Sequence, residues 1–149
     1  MLRLHSPKTP HRENHWQDVA DICQNFLTNT RTLNALTEEF GSRELAQQAC
    51  ADLLRDLPVS EDRWRQCLIR SKVTSPKRCW LMIAPNSHSL AALYPLAIAA
   101  LGNIDLYLRL PPAFCSANSA LMQFVELLAK LPKTPVLGVL EPRFRITRA

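Results

Sequence analysis

The amino-acid sequence predicts an α/β fold, with a helical N-terminal half followed by a βαβαβ parallel-sheet unit. Residues 14–75 carry apolar side chains at helical spacing. From residue 76 onward, three short apolar runs alternate with two helical segments. Their short connections favour right-handed crossovers between parallel strands. We therefore divide the chain into a mobile leader (1–13), a helical segment (14–75) and an α/β unit (76–149).

Length and composition indicate one globular domain. The chain has 149 residues, of which 47% are hydrophobic, enough for a sizeable core. Its longest apolar run, Leu90 to Leu101, is too short to span a bilayer, and the N-terminus lacks the apolar core of a signal peptide. Five widely spaced cysteines without a CxxC pair are typical of a reducing compartment. We expect a cytoplasmic protein with no membrane span.

Charge and glycine content limit the ligands that the chain can bind. A formal net charge of +5 favours anionic ligands such as phosphates, coenzyme A or nucleic acid, without choosing among them. With only three glycines, the chain has no GxGxxG or Walker-type loop. A nucleotide site would therefore use helix N-termini and single side chains. Binding of nucleic acid is not expected, because no recognition motif is present.

The helical segment divides into four predicted helices. Gly41 is expected to end the second helix, Pro58 to end the third, and Ser60 to cap the fourth. Ahead of them, His11 and His15 belong to an H-x-E-x-H pattern, which lacks the spacing of a zinc protease. We interpret this pattern as part of the frayed leader.

In the α/β unit, the first strand is predicted over Cys79–Ala84 as a continuous apolar run buried on both faces. A buried helix is predicted from Ser89 to Leu101, and a second strand with one less buried face over 104–110. After the turn at 111–112 come a second helix and a third strand over 135–140. Ligands of such sheets bind beyond the carboxyl ends of the strands.

Two residues at these strand ends are candidates for chemistry. Asn86 can present its amide to a developing oxyanion, and the helix amides that follow can hold a phosphate. The alternative is that Asn86 or Ser87 simply caps the helix. Arg109 can reach a ribose or phosphate oxygen, or it can pair with Asp105 on the same face of the second strand.

The stretch from Trp80 to Leu131 resembles the aldehyde dehydrogenase superfamily, most closely the fatty-acyl-CoA reductase branch associated with bacterial bioluminescence. The resemblance is carried by an apolar strand ending near Asn86, a long apolar helix closed by Gly102-Asn103, and Arg109 with Pro111 after the second strand. It covers about a third of the chain. Arg109 stands where the family usually has Lys, and Leu110 separates it from the proline.

The resemblance implies a partial Rossmann-like fold with specific roles for five residues. Asn86 would bind the thioester or aldehyde oxygen as a catalytic group. The cofactor NADP would be bound by the remaining four, which are Ala84, Pro85, Arg109 and Pro111. The family's cysteine nucleophile lies beyond the stretch that matches, so this chain alone is expected to be inactive.

Two functions follow from these expectations. The first is the cofactor-binding opening of an NADP(H)-dependent fatty-acyl-CoA reductase, an oxidoreductase that converts acyl-CoA to aldehyde. The second is a non-catalytic partner or regulatory protein that binds a full-length reductase or an acyl carrier protein. In both, a sheet of three strands leaves an edge and core surface for a protein partner to cover.

Overall fold

The structure, a computed structural model, describes the backbone of residues 5–71, 78–83 and 87–140, and the side chains of 15–67, 78–83 and 87–139. It confirms the α/β class and the order of elements in the C-terminal half. The helices and strands are α1 (His5–Thr28), α2 (Thr30–Phe40), α3 (Arg43–Ser71), β1 (Arg78–Met82), α4 (Leu93–Leu101), β2 (Asp105–Arg109), α5 (Ala120–Leu128) and β3 (Val136–Leu140). Short 3-10 turns at Ser89–Ala92 and Pro112–Phe114 precede α4 and follow β2.

The N-terminal helices differ from the predicted ones at two points. Helix α1 begins at His5, inside the segment predicted as a leader. Helix α3 runs through Pro58, so the prediction that this proline separates two helices was wrong. A proline inside a helix costs about 3 kcal/mol. Burial of Leu57 and Trp64, on either side of it in the sequence, offsets that cost. Gly41 ends α2 in a left-handed conformation, as predicted (φ 73°).

The three strands form a parallel sheet in the order β1-β2-β3. Strand β2 lies in the centre and pairs Tyr107 with Trp80 of β1 and with Gly138 of β3. A bulge near Leu106 shifts the register of β3 by one residue. Because right-handed crossovers between successive neighbours all pass over the same side of a sheet, this strand order puts α4 and α5 on one face.

That covered face, called the inner face below, joins both halves of the chain in one core. It carries Leu106 and Leu108 of β2, which are buried together with residues of α4 and α5. Helix α1 packs on both of these helices. Its Phe26 lies against Phe124 of α5, with ring centroids 4.7 Å apart. The helices of the N-terminal half therefore pack on α4 and α5, on the inner side of the sheet, and share one core with the α/β unit.

The opposite face, called the outer face, corrects the prediction for β1. That strand was expected to be buried on both sides, yet Trp80 is 61% and Met82 65% exposed. Strand β1 lies at an edge of the sheet, and no element in the described part of the chain covers its outer face. A continuous apolar run indicates a strand that favours burial, but it does not supply the neighbour that buries it.

Candidate functional site

Arg109 and Pro111 lie at the carboxyl end of the central strand, where the sequence placed them. Arg109 is half-buried, Pro111 is buried, and the carbonyl of Arg109 accepts the N–H of Ile83 at 3.1 Å. Since Leu108 and Leu110 point into the core, strand alternation puts the Arg109 side chain on the outer face. The other predicted site residues (Ala84, Pro85 and Asn86) lie outside the described residues.

The expected alternative for Arg109, an ion pair with Asp105, is wrong. The carboxylate of Asp105 lies 3.7 Å from the ammonium of Lys133, at the start of β3. Neither Arg109 nor Arg78 forms an ion pair within the residues that the structure describes. The lysine comes from the loop before β3, 28 positions along the chain, so a rule based on spacing within one strand could not find it.

The N–H at the start of the helical turn after β1 donates to a carboxylate that the sequence analysis did not predict. Glu39 of α2 accepts the N–H of Ser89 at 2.7 Å and its hydroxyl at 2.6 Å. The same hydroxyl accepts the N–H of Leu121, at the start of α5, at 2.9 Å. Glu39, rather than Ser87, thus accepts the N–H of Ser89, and the predicted cap from Asn86 lies outside the described residues. It also puts a carboxylate on the amide that was expected to help hold a phosphate.

His15, interpreted from sequence as part of a frayed leader, lies against the sheet unit instead. Its Nε2 is 2.9 Å from the carbonyl oxygen of Ala100, near the C-terminus of α4. Carbonyls at a helix C-terminus lack partners inside the helix, so this contact satisfies one of them. His15 therefore has a structural role in docking α1 on α4.

The outer face is the most exposed apolar surface on the described strands. Trp80 stacks on Tyr107 of the neighbouring strand, with centroids 5.1 Å apart and planes 27° apart. A side-chain carbon at Gly138 would lie 3.3 Å from the Tyr107 ring, so the glycine lets that ring lie flat over β3. Met82 extends the apolar area along β1. The outer face therefore presents two stacked rings, one of which packs closely on Gly138.

Basic residues stand at opposite corners of the outer face. Arg78 is exposed at the amino end of β1, and Arg109 is half-buried at the carboxyl end of β2. The one carboxylate of β2 on this side, Asp105, is only 15% exposed and lies next to Lys133. The accessible charge of the outer face is therefore positive.

A second concave region lies between α2 and α5, outside the sheet. It is an open cleft of about 310 Å³ that includes Arg31, Glu38 and Gln123 among its lining residues. Gln123 accepts the hydroxyl of Thr32 at 3.4 Å, while Arg31 lies 3.9 Å from Glu126. Two of the polar residues that line this cleft, Gln123 and Arg31, are therefore in contact with residues beside it.

Three ionisable groups are perturbed within the helical layer, and one of them is the Cys50 thiol, whose pKa is raised by burial. Burial, together with the nearby Glu61 carboxylate, raises the pKa of the Cys23 thiol to about 12, which makes it a poor nucleophile. Burial also raises the pKa of Glu61, while Arg65 opposes the increase and Asp21 adds to it. In the part of the chain that the structure describes, no three His, Cys, Asp or Glu side chains cluster as a metal site requires.

Comparisons with known proteins do not assign the chain to a family. No protein-family model, curated protein or solved structure matches it. Among the described helices, none combines the length and the apolar character needed to cross a bilayer.

Proposed function

We propose that this chain is a non-catalytic docking domain, whose outer sheet face binds a second protein. The observation that carries the proposal is the exposure of Trp80 and Met82, two large apolar side chains on a parallel strand. Parallel sheets occur almost entirely with both faces covered, and contiguous exposed apolar patches mark interaction sites. A full-length fatty-acyl-CoA reductase or an acyl carrier protein is the proposed partner.

The contacts of Ser89, at the start of the helical turn that follows β1, support docking over catalysis. In a nucleotide-binding sheet, the amides at a helix start after a strand hold phosphate. Here Glu39 already accepts both the N–H and the hydroxyl of Ser89. A phosphate at the Ser89 amide would be repelled by the Glu39 carboxylate, so this amide is not free to bind one.

Site-specific photo-crosslinking in the source cell tests the docking proposal. A photoreactive phenylalanine analogue replaces Met82 on the outer face, and Leu45 or Val59 in control proteins. All three positions are exposed apolar residues, at 65%, 57% and 57%. We expect one discrete adduct from position 82, identified by mass spectrometry as a reductase or carrier protein and abolished by Trp80→Lys. Equal adducts from all three positions, or none from position 82, would overturn the proposal.

One observation favours a second function, the cofactor-binding opening of an NADP(H)-dependent acyl-CoA reductase. Arg109 lies at the carboxyl end of the central strand, where open α/β sheets bind ligands. Arg109 fits a ribose or phosphate contact, whereas the blocked amide of Ser89 does not fit a pyrophosphate. NADP would supply hydride chemistry that the described side chains do not.

Titration with NADPH separates this second function from the first. If it is correct, NADPH raises the melting temperature and changes the tryptophan fluorescence, and Arg109→Ala weakens binding at least tenfold. Arg63→Ala, at an exposed position of α3, serves as the control. No change in either signal at millimolar NADPH rules out the cofactor-binding function and leaves docking unaffected.

A further inference from the structure

We infer that the partner segment on the outer face is an amphipathic α-helix whose apolar stripe is flanked by carboxylates. The inference rests on the proposed docking function and adds the chemistry of the occupant. It is carried by two features of the outer face, its shape and the sign of its accessible charge.

The shape suits a helix with one apolar stripe. Trp80 and Tyr107 form a stacked aromatic platform on the outer face, and the Tyr107 ring packs closely on Gly138 of β3. A stripe of leucine-sized side chains can lie on that platform. Covering a parallel sheet with helices is the usual way to bury such a face, since a helix satisfies its own backbone groups.

The charges define the flanks of that helix. Arg78 and Arg109 stand four residues apart in register and one strand apart, which places them roughly 14 Å from each other at about 3.3 Å per residue and about 4.8 Å between strands. In a helix, 14 Å corresponds to about nine residues. We therefore expect two carboxylates, separated by two to three turns, along the edges of the partner's apolar stripe.

A second copy of this chain does not supply exposed carboxylates that could face Arg78 and Arg109. Two outer faces packed together would bring four arginines into one interface. Among the residues that the structure describes, the only carboxylates there would be the two copies of Asp105, each largely buried and already beside Lys133. Like charges brought together at an interface cost several kcal/mol. The charge pattern thus favours an acidic partner over self-association.

The test uses labelled peptides and the full chain. The first probe is an 18-residue helical peptide with a leucine stripe and glutamates nine residues apart; the second replaces those glutamates by lysines. We expect fluorescence anisotropy to show at least tenfold tighter binding of the glutamate peptide at low salt. Trp80→Ala should weaken it at least tenfold. Arg78→Glu with Arg109→Glu should reverse the preference between the two peptides.

A matched double variant controls for net charge. Arg63→Glu with Lys130→Glu makes the same charge change at exposed positions away from the outer face, and it should leave the preference unchanged. If this control reverses the preference as strongly, the binding is non-specific attraction and the inference is wrong.

The remaining outcomes separate the inference from the docking function. If both peptides bind equally and Trp80→Ala weakens both, the acidic helix is wrong while docking at the outer face stands. If neither peptide binds, the helical occupant is overturned, and the crosslinking result alone decides on docking. If a twelve-nucleotide oligothymidine binds and Trp80→Ala weakens that binding, the inference is overturned in favour of nucleic acid. A dimer in sedimentation that Trp80→Lys dissociates would overturn it in favour of a second copy.

Discussion

The two faces of the same three strands have opposite environments. On the inner face, Leu106 and Leu108 are 5% and 0% exposed beneath α4 and α5. On the outer face, Trp80 and Met82 of β1 are more than half exposed. Strand β2 alternates polar and apolar residues as a half-covered strand should, whereas β1 is apolar on both sides. The difference shows that β1 carries large apolar side chains on a face that no described element covers.

The largest expected effect comes from truncating one leucine of the inner face. Leu108→Ala leaves a cavity in the core and should lower the free energy of unfolding by about 2–5 kcal/mol. Met82→Ala, on the outer face, removes a side chain that is already in water and should change it by less than about 0.5 kcal/mol. Urea unfolding of both variants measures the contrast. Equal losses would mean that the outer face is covered in the isolated chain.

An intermediate effect is expected at the link between α2 and the sheet unit. Glu39→Ala removes two charge-assisted hydrogen bonds to Ser89 and should cost about 1.5–3 kcal/mol of stability. The neighbouring Glu38 is exposed, and Glu38→Ala should change stability by less than about 0.5 kcal/mol. Thermal or urea unfolding compares the pair. A Glu39 variant as stable as its control would contradict the role given to this carboxylate.

The smallest effect depends on pH and tests how well the helical layer excludes water. Burial raises the folded-state pKa of Glu61, so its ionisation opposes folding. The folded chain therefore binds the Glu61 proton more tightly than the unfolded chain does. The resulting stabilisation is fully present below the unfolded-state pKa and is lost as pH rises through the folded-state pKa. Glu61→Gln should therefore match the wild type near pH 4 and melt higher at pH 7, by less than about 3 °C.

Scanning calorimetry across this pH range measures the difference. Asp62→Asn is the control, because Asp62 is exposed one position further along α3. If Glu61→Gln raises the melting temperature equally at pH 4 and pH 7, or if Asp62→Asn raises it as much, burial of Glu61 is not the cause.

Local sequence patterns predicted the α/β unit well, but they did not predict the long-range contacts around the site. The apolar runs, the alternation in β2 and the Gly41 stop depend on neighbours within a few residues, and the structure confirms them. The continuity of α3 through Pro58 depends instead on tertiary burial of Leu57 and Trp64. Likewise, Glu39 reaches Ser89 across 50 positions, a distance at which spacing rules carry no information.

By itself, the sequence determined the class of fold, the order of elements in its C-terminal half and the position of Arg109 at the end of a strand. Hydrophobic period and turn residues act locally, so they can be read without a structure. Only the tertiary structure decided that both crossover helices share one face, that Lys133 rather than Arg109 lies beside Asp105, and that Trp80 faces outward. These features depend on which distant segments meet, and no local pattern in the chain specifies that.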